Sequence, residues 1–281
     1  MSKDRLKVGI IAAEHSGDRL GAKIIASLQD KFEIDLYGLG GPEVNVNSIV
    51  TPSGIDYHDL HVMGLVDPLI NFPKIFLNRR KLLKLFISNN IDIFIGVDSP
   101  DFNIFFHKKL KSINVKTIQI VSPSVWGWRE NRIRSIEANI DLTMCLFKFE
   151  CDFYSKKNMQ SFFLGHPFSQ LKPNNIEDII KRHSLEASKN FISILPGSRA
   201  SEISELMPVY IVAAKKLLNQ DPNAYFLIPA ANKKLALTIE STKGIDKIPH
   251  KLSLDSAQDF LALSPISIVT SGTATLEAAV L

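Results

Sequence analysis

The chain has 281 residues, of which 45% are hydrophobic and 22% are charged. This globular composition excludes a disordered, collagen-like or coiled-coil chain. Two cysteines six residues apart exclude a disulfide scaffold and fit neither a C-x-x-C nor a zinc pattern, so a reducing cytosol is the expected compartment. The net charge of +4 is too small to indicate nucleic-acid binding, but it leaves an anionic partner or membrane surface open.

The first part of the chain alternates apolar strands with amphipathic helices, which predicts a doubly wound parallel sheet. Helices are predicted from Gly17 and over Phe102–Ile113. The almost continuous apolar run Ile91–Val97 is typical of a parallel strand covered on both faces. The predicted strands are Leu6–Ala13, Ile34–Gly38, Ile91–Val97, Lys116–Val121, Asp141–Phe147 and Gln160–Leu164.

The pattern becomes polar over residues 171–189, where Pro173 and two asparagines predict a linker. We therefore expect two Rossmann-like α/β domains, over 1–170 and 190–281. The chain stops at Leu281 inside a predicted helix, so the second domain is expected to be incomplete and the protein truncated. The predicted elements of this domain are strands Phe191–Leu195, Tyr225–Ile228 and Ile266–Thr270, a helix over Ile203–Leu218, a helix begun by a capping box of Asp255 and Gln258, and a helix from Thr273.

In open parallel sheets ligands bind beyond the carboxyl ends of the strands, and two predicted loops of the first domain carry unusual residues there. In the first loop, Ser16 and Asp18 suit a helix N-cap, whereas Glu14 is not needed for capping and favours acceptor binding. The second loop follows a buried strand. Asp98 is there either a cap or a general base whose pKa burial would raise, and Asp101 is expected to cap the next helix.

A third loop, VSPSVWGWR, contains both tryptophans of the chain. Trp126 and Arg129 offer a flat apolar wall and a cation, which suit a sugar or acyl ligand; core packing beneath a long loop is the alternative. His166, at the end of a predicted strand, either reaches a site or makes a hinge hydrogen bond. The seven histidines form no H-x-x-x-H pair or carboxylate cluster, so no metal is expected.

A fourth loop, LPGSR, leads from a strand into a helix and is typical of a diphosphate site. Glycine lets backbone N–H groups approach an anion, the helix N-terminus favours negative charge, and arginine pairs with phosphate. A similar loop follows one βα unit later, and Glu277, one turn into its helix, would bind ribose hydroxyls or be a surface charge. The residues of the two loops are Gly197, Ser198, Arg199, Ser271, Gly272 and Thr273.

Between residues 62 and 86 an apolar run is followed by basic residues, and no acidic residue lies between Asp67 and Asp92. This pattern is typical of a segment on an anionic membrane leaflet; a core helix with a solvated basic end is the alternative. No run approaches the roughly 18 apolar residues that a membrane-spanning helix needs. The candidate membrane or acyl surface comprises Val62, Met63, Val66, Leu69, Phe72, Phe76, Arg79 and Arg80.

Eight blocks follow one another along the chain: AAEHSGDRLGA, GLGGPE, VMGL, GVDSPDFNI, VSPSVWGWR, FLGHPF, LPGSRASEI and SGTATLEA. In this order they resemble the lipid-A-disaccharide synthase family, whose members are inverting glycosyltransferases of the GT-B type. The resemblance runs through the whole chain, and VSPSVW-x-W together with LPGSR-x-x-E is its most specific part.

The resemblance implies a reaction between UDP-2,3-diacylglucosamine and 2,3-diacylglucosamine 1-phosphate (lipid X). Its products are the β-1,6-linked lipid A disaccharide 1-phosphate and UDP. It also implies chemistry without a cofactor or metal and a peripheral location on the inner face of the inner membrane. Family members continue for about a hundred further residues (size reasoning as in), a segment that holds more donor contacts and much of the surface of a homodimer.

The resemblance also assigns roles to residues of this chain. Asp98 would be the base for the acceptor 6-hydroxyl, and Arg199 would bind the UDP diphosphate. Glu14, Ser16 and Asp18 would lie in the acceptor loop, Ser271, Thr273 and Glu277 at the nucleotide-binding helix, and Val62–Leu77 on the acyl-binding surface.

Two other functions stay open at this point. Another UDP-sugar enzyme of the same architecture, such as a 2-epimerase, would need no lipid surface. A chain without catalytic activity that binds lipid or membrane through Val62–Lys84 is the third possibility.

Overall fold

The computed structural model describes residues 4–12, 15–55, 57, 68–125 and 132–281. The chain separates into two compact units, Met1–His166 and Pro167–Leu281. Each unit has one sheet whose paired strands all run parallel. The fold class is therefore the predicted α/β class.

The first unit holds a six-stranded sheet in the order β2-β1-β3-β4-β5-β6. Its strands are Arg5–Ala12 (β1), Glu33–Leu39 (β2), Ile93–Val97 (β3), Lys116–Ile120 (β4), Leu142–Cys145 (β5) and Ser161–Phe163 (β6). Its helices are His15–Gln29 (α1), Pro42–Asn45 (α2), Pro68–Ser88 (α3), Pro100–Lys111 (α4), Ile133–Asn139 (α5) and Lys148–Ser155 (α6).

Both faces of this sheet are covered, which explains the continuous apolar runs of β1 and β3. Ile10 packs in the cluster that contains α1 residues, whereas its neighbour Ile11 packs in the cluster formed with α3 and α4. In the second cluster the rings of Phe86, Phe94 and Phe106 lie 5.5–5.8 Å apart between centroids. Such pairs contribute about 0.5–1.5 kcal/mol each beyond their burial.

The second unit holds a four-stranded sheet in the order β10-β7-β8-β9. Its core joins the sheet to the long helix α8. Its strands are Asn190–Leu195 (β7), Ala224–Ala230 (β8), His250–Leu254 (β9) and Ile266–Val269 (β10). Its helices are Ile176–His183 (α7), Ala200–Gln220 (α8), Lys233–Glu240 (α9), Ala257–Leu263 (α10) and Thr273–Val280 (α11), with 3₁₀ turns at Pro167–Gln170 and Ile245–Lys247.

The predicted linker at 171–189 is wrong in this structure, because it contains α7. Asn175 caps this helix by accepting the Glu177 N–H at 2.8 Å. His183, at the other end of α7, contacts the Asp259 carboxylate at 2.9 Å. The polar pattern of this segment suggested a linker, but Ile179 on α7 is buried in an apolar cluster with Phe191 and Phe260.

Two other local predictions also need correction. The capping box of Asp255 and Gln258 is absent, since α10 begins after Ser256, and Asp255 has φ +50°. Strand β9 and helix α9 were not anticipated, because both are short and begin with polar residues.

Candidate functional sites at the two switch points

Each sheet has one point where the chain turns from one side of the sheet to the other. In the first unit it lies between β1 and β3, and in the second between β7 and β10. Loops that follow neighbouring strands diverge at such a point and leave a crevice at the carboxyl edge, where ligands bind in this kind of sheet. The predicted acceptor loops and the predicted diphosphate loops therefore fall at the two switch points.

The turn after β3 places Asp98 in an unusual backbone conformation. Asp98 and Ser99 have φ values of +54° and +37°, and the Asp98 N–H donates to the Ile120 carbonyl at 2.9 Å. Left-handed residues other than glycine cost on the order of 1 kcal/mol each and gather at functional sites. Burial raises the pKa of the Asp98 carboxyl, against the opposing effect of the Ser99 N–H, which donates to it at 2.8 Å.

Three buried side chains beneath this turn were missed by the sequence reasoning. Asn103 and Gln119 donate to the Asp98 carbonyl oxygen at 2.8 and 3.0 Å, and His107 contacts Gln119 at 2.9 Å. Gly96 makes room for this arrangement, because a Cβ there would lie 2.8 Å from Asn103 Nδ2. A polar glutamine within a buried strand, KTIQI, is the signal that could have revealed it.

The N-terminus of α1 lies beside the Asp98 turn. A Cβ on Gly17 would lie 3.6 Å from the Asp98 Cβ, at ordinary van der Waals distance, so the two residues are neighbours. Ser16 is exposed in the same first turn. Glu14 lies outside the described residues. The structure therefore brings the start of α1 and Asp98 together at one switch point.

The prediction that Asp18 binds an acceptor is not supported by the structure. Its side chain has no solvent exposure. The carboxylate accepts the N–H groups of Gly41, Glu43 and Val44 at 2.7, 2.9 and 3.1 Å. Asp18 therefore caps α2, a helix distant in sequence, and its oxygens are occupied by backbone donors.

The loop after β4 is anchored to α6. Ser122 donates to the Glu150 carboxylate at 2.6 Å, and Glu150 also accepts the Phe147 N–H at 2.9 Å. The Tyr154 hydroxyl donates to the Pro123 carbonyl at 3.4 Å. Trp126 and Arg129, the predicted ligand wall of this loop, lie outside the described residues. Asp101 does not cap α4; it lies in its first turn and pairs with Arg132.

In the second unit, the loop after β7 is open and exposed. Gly197 has φ +110°, and Ser198 and Arg199 are exposed. Glu202, one turn into α8, accepts the Ser198 N–H at 3.2 Å and pairs with the Arg199 guanidinium at 3.1 Å. A Cβ on Gly197 would lie 2.5 Å from the Glu202 carboxylate. A carboxylate therefore occupies the recess that the sequence predicts for a diphosphate.

The loop after β10 lies next to the loop after β7. Leu195 and Val269 are register partners, and the Thr270 N–H donates to the Leu195 carbonyl at 3.0 Å. Ser271, Gly272 and Thr273 follow as exposed residues at the start of α11. Glu277 is held by Gln258 at 2.9 Å. The two predicted nucleotide loops are thus brought to one sheet edge.

The predicted membrane surface is described only in part. Phe76 is 49% exposed on α3, and the Arg80 guanidinium lies over its ring at 5.0 Å. Arg79 does not belong to this surface. Its guanidinium donates to the Asp101 carbonyl at 2.9 Å and packs on Phe102 at 4.9 Å, so it joins α3 to α4.

The remaining residues of that prediction cannot be placed on a surface. Val62, Met63 and Val66 lie outside the described residues, and Leu69 and Phe72 are described only as part of the helix α3. None of the helices within the described ranges is both long enough and apolar enough to cross a membrane. In the same ranges, no three His, Cys, Asp or Glu side chains gather as a metal site would require, and metal-free chemistry stays a prediction.

His166 stacks on Phe147 with ring centroids 5.4 Å apart, and burial lowers its pKa against the opposing charge of Glu150. It lies at the end of the first unit, where β6 has just ended. The stacking fixes the plane of the His166 ring, and its role at a site or at a hinge stays a prediction.

Known proteins resemble this chain in both sequence and fold. Residues 8–281 match the family model described as lipid-A-disaccharide synthetase. The lipid-A-disaccharide synthase of Acinetobacter baylyi is 36% identical over 298 residues, covering 100% of this chain and 74% of that protein. Lipid-A-disaccharide synthase 2 of Legionella pneumophila (strain Lens) is 33% identical over 287 residues, with the same two coverages.

Among solved structures, the S. aureus MnaA–UDP co-structure superposes with a TM-score of 0.61 at 14% identity, covering 95% of this chain and 74% of that one. A likeness at this identity shows the fold, which is the GT-B class that the sequence predicts. The sequence matches show the family as well as the fold, because these relatives are 36% and 33% identical over 100% of this chain.

Proposed function

The chain belongs to the lipid-A-disaccharide synthetase family of glycosyltransferases in lipid A biosynthesis, and from this premise we propose its substrates. The donor is UDP-2,3-diacylglucosamine, and the acceptor is lipid X. The bond between the donor's C1 and the UDP oxygen breaks, and a bond from C1 to the acceptor's O6 forms with inversion. The products are the β-1,6 disaccharide 1-phosphate and UDP.

The observation that carries this proposal is the conformation of Asp98. Its carboxylate stands on a left-handed turn at the switch point of the first unit, beside the N-terminus of α1. A carboxyl whose pKa is raised by burial is a better base than an ordinary one. Asp98 would accept the proton of the acceptor 6-hydroxyl as O6 attacks C1. Ser16, exposed nearby, would bind the acceptor.

The donor half of the proposal rests on the two adjacent loops of the second unit. Arg199 would bind the diphosphate, and the N–H groups at the start of α8 would stabilise the charge that develops on the leaving UDP. Glu202 would leave the recess when the diphosphate enters, because two anions cannot share these donors. Ser271, Thr273 and Glu277 would contact the nucleotide.

Acceptor and donor are both acylated and anionic, so a peripheral position on the inner face of the inner membrane fits the proposal. Arg80, Lys84 and the exposed Phe76 form a cationic and apolar face of α3. Such a face binds an anionic leaflet by burying apolar area while its cations attract headgroups. A homodimer also belongs to the proposal, as a property of the family resemblance.

The test is mass spectrometry of the chain mixed with UDP-2,3-diacylglucosamine and lipid X. We expect disaccharide 1-phosphate and UDP in equal amounts, and both at a rate about 10²- to 10⁴-fold lower with Asp98→Asn. Asp152→Asn, at an exposed carboxylate of α6, is the matched control and should form product normally. Folded protein that forms no disaccharide, or an Asp98→Asn variant that forms it at the normal rate, would contradict the proposal.

A further inference from the structure

The Asp98 turn rests on three polar side chains that have no solvent exposure: Asn103, His107 and Gln119. They lie beside a core of phenylalanines, and the His107 ring packs against Phe94 at 5.0 Å between centroids. Polar side chains in an apolar core require an explanation, because burying a polar group is unfavourable unless it finds a hydrogen-bond partner.

Two of the three, Asn103 and Gln119, donate to one atom, the carbonyl oxygen of Asp98. Asn103 Nδ2 donates to it at 2.8 Å and Gln119 Nε2 at 3.0 Å. A carbonyl oxygen has two lone pairs, so both acceptor sites are in use. Two donors from α4 and β4 therefore fix the orientation of the peptide between Asp98 and Ser99, and with it the left-handed conformation of both residues.

His107 fixes the orientation of Gln119. Gln119 Nε2 faces the carbonyl oxygens of Asp98, Ile120 and Val121, so this end of the amide must be the donor. The amide oxygen then faces His107 Nε2 at 2.9 Å, and that nitrogen must carry a hydrogen. Burial lowers the pKa of His107 to about 4, so the ring is neutral near pH 7 and holds this tautomer.

The arrangement is unfavourable for stability alone. Asn103 Oδ1 and His107 Nδ1 find no partner among the described residues. Leucine at position 103 is close to asparagine in size and would remove the unpaired Oδ1, while Gln119 would still donate to the Asp98 carbonyl. A buried asparagine whose side-chain oxygen has no partner is therefore explained by the bond that its amide nitrogen makes to Asp98.

We propose that Asn103, Gln119 and His107 are positioning residues, which hold the backbone of Asp98 so that its carboxylate meets the acceptor hydroxyl. The inference rests on the proposed function of Asp98. It goes beyond that function because it states that buried residues of α4 and β4, which do not touch the substrate, raise the rate of the reaction. A displacement of about 1 Å at a reacting group is enough to lower a rate about 100-fold.

The experiment compares Asn103→Leu and Gln119→Met with the original chain, and Lys108→Leu, at an exposed position of the same helix, is the control. In crystal structures of the two variants we expect the φ angles of Asp98 and Ser99 to leave the left-handed region. We expect kcat to fall 10- to 100-fold, with the Kd for UDP within twofold and Tm unchanged or higher. A turn that keeps its conformation in both variants would overturn the inference.

A double-mutant cycle of Asp98→Asn and Asn103→Leu tests whether Asn103 acts through Asp98 or lowers the rate independently of it. Once Asp98→Asn has removed the base, Asn103→Leu should lower kcat by less than twofold more. Full multiplication of the two losses would show that Asn103 acts independently of Asp98 and would overturn the inference.

The same set distinguishes failure of the inference from failure of the proposed function. Normal kcat in Asn103→Leu and Gln119→Met, with a lowered kcat in Asp98→Asn, would overturn the positioning role alone. Normal activity in Asp98→Asn would overturn the proposed base. If the unaltered chain forms no product, the proposed function fails for this chain, and the two crystal structures still decide whether the network holds the turn. Gln119→Met carries the test if Asn103→Leu does not fold.

Discussion

The turn after β3 and the loop after β7 each lie at the switch point of their sheet, yet they are held in opposite ways. Asp98 stands on a strained turn fixed from below by buried donors. The loop with Ser198 and Arg199 is exposed, and its contact inside the recess is with the carboxylate of Glu202. An exposed ion pair of this kind contributes about 0–1 kcal/mol.

This difference matches what each loop is proposed to do. A base must be oriented before its substrate arrives, because misorientation at the reacting atoms lowers the rate directly. A diphosphate brings its own charge and can organise an exposed arginine when it binds. We therefore infer that the first switch point is preorganised by the fold and the second is completed by its ligand.

The largest expected effect is on turnover in Asp98→Asn. Loss of a general base typically lowers kcat about 10²- to 10⁴-fold. The Kd for UDP, measured by calorimetry, should stay within twofold, because the substitution lies in the first unit and the nucleotide loops lie in the second. Loss of UDP affinity in this variant would contradict the proposed division between the two sites.

Arg199→Ala should weaken UDP binding and not only slow the chemical step. Hydrogen bonds to charged groups contribute about 1.5–3 kcal/mol, so we expect the Kd for UDP to rise about 10- to 100-fold. Lys234→Ala, at an exposed lysine of α9, is the matched control for a general change in charge. Equal Kd values in Arg199→Ala and the control would show that the diphosphate binds elsewhere.

Glu202→Gln should have a smaller effect, in the opposite direction. The amide can still accept the Ser198 N–H, but it no longer repels an entering diphosphate or competes for Arg199 as an anion. We expect UDP to bind about 3- to 10-fold more tightly, which corresponds to about 0.7–1.4 kcal/mol (conversion from). Glu205→Gln, at an exposed carboxylate of the same helix, is the control. Weaker binding would indicate that Glu202 orients Arg199 in the complex.

The smallest effect concerns stability and pH at the preorganised turn. Because burial raises the pKa of Asp98 in the folded chain, the folded state binds this proton more tightly than the unfolded state. The resulting stability is complete below the unfolded pKa and is lost as pH rises through the folded one. Asp98→Asn should therefore raise Tm by a few degrees at pH 7, and by progressively less as pH falls towards 4.

Thermal denaturation across this pH range tests that expectation, with Asp152→Asn as the exposed comparison. A Tm gain that is independent of pH would show that the Asp98 charge carries no cost in the folded chain.

Sequence patterns predicted the strands and helices with strong apolar periodicity. They missed short elements in which most residues are polar or charged. The apolar runs of β1, β3 and β7 predicted buried parallel strands, and the structure confirms them. Helix α7 was missed because a short helix with one buried face can have mostly charged residues. Asp259, 76 residues beyond His183, accounts for its position, and such a contact leaves no mark in the local pattern.

The candidate sites divide in the same way. The LPGSR and SGT loops could be predicted as a nucleotide site because glycine, arginine and a helix start are local signals. Their position at one sheet edge follows from the pairing of β7 with β10. Asp18 could not be assigned from its loop. Its partners Gly41, Glu43 and Val44 lie more than twenty residues away, and only the packing of α2 against α1 shows that its carboxylate is a cap.

The sequence by itself determined the α/β class, the most strongly patterned strands and helices, and the position of Asp98 and Arg199 immediately after buried strands, because side-chain periodicity and turn chemistry are local properties. Tertiary structure decided which of these side chains are exposed to a ligand and which are occupied by contacts within the protein. It buried the Asp18 carboxylate as the cap of a helix, placed Arg79 between α3 and α4, and set Glu202 against the loop that is predicted to bind the diphosphate. It also set Asn103 and Gln119 beneath the Asp98 carbonyl. These outcomes depend on hydrogen bonds between distant elements, whose partners are chosen by packing and not by the sequence neighbourhood.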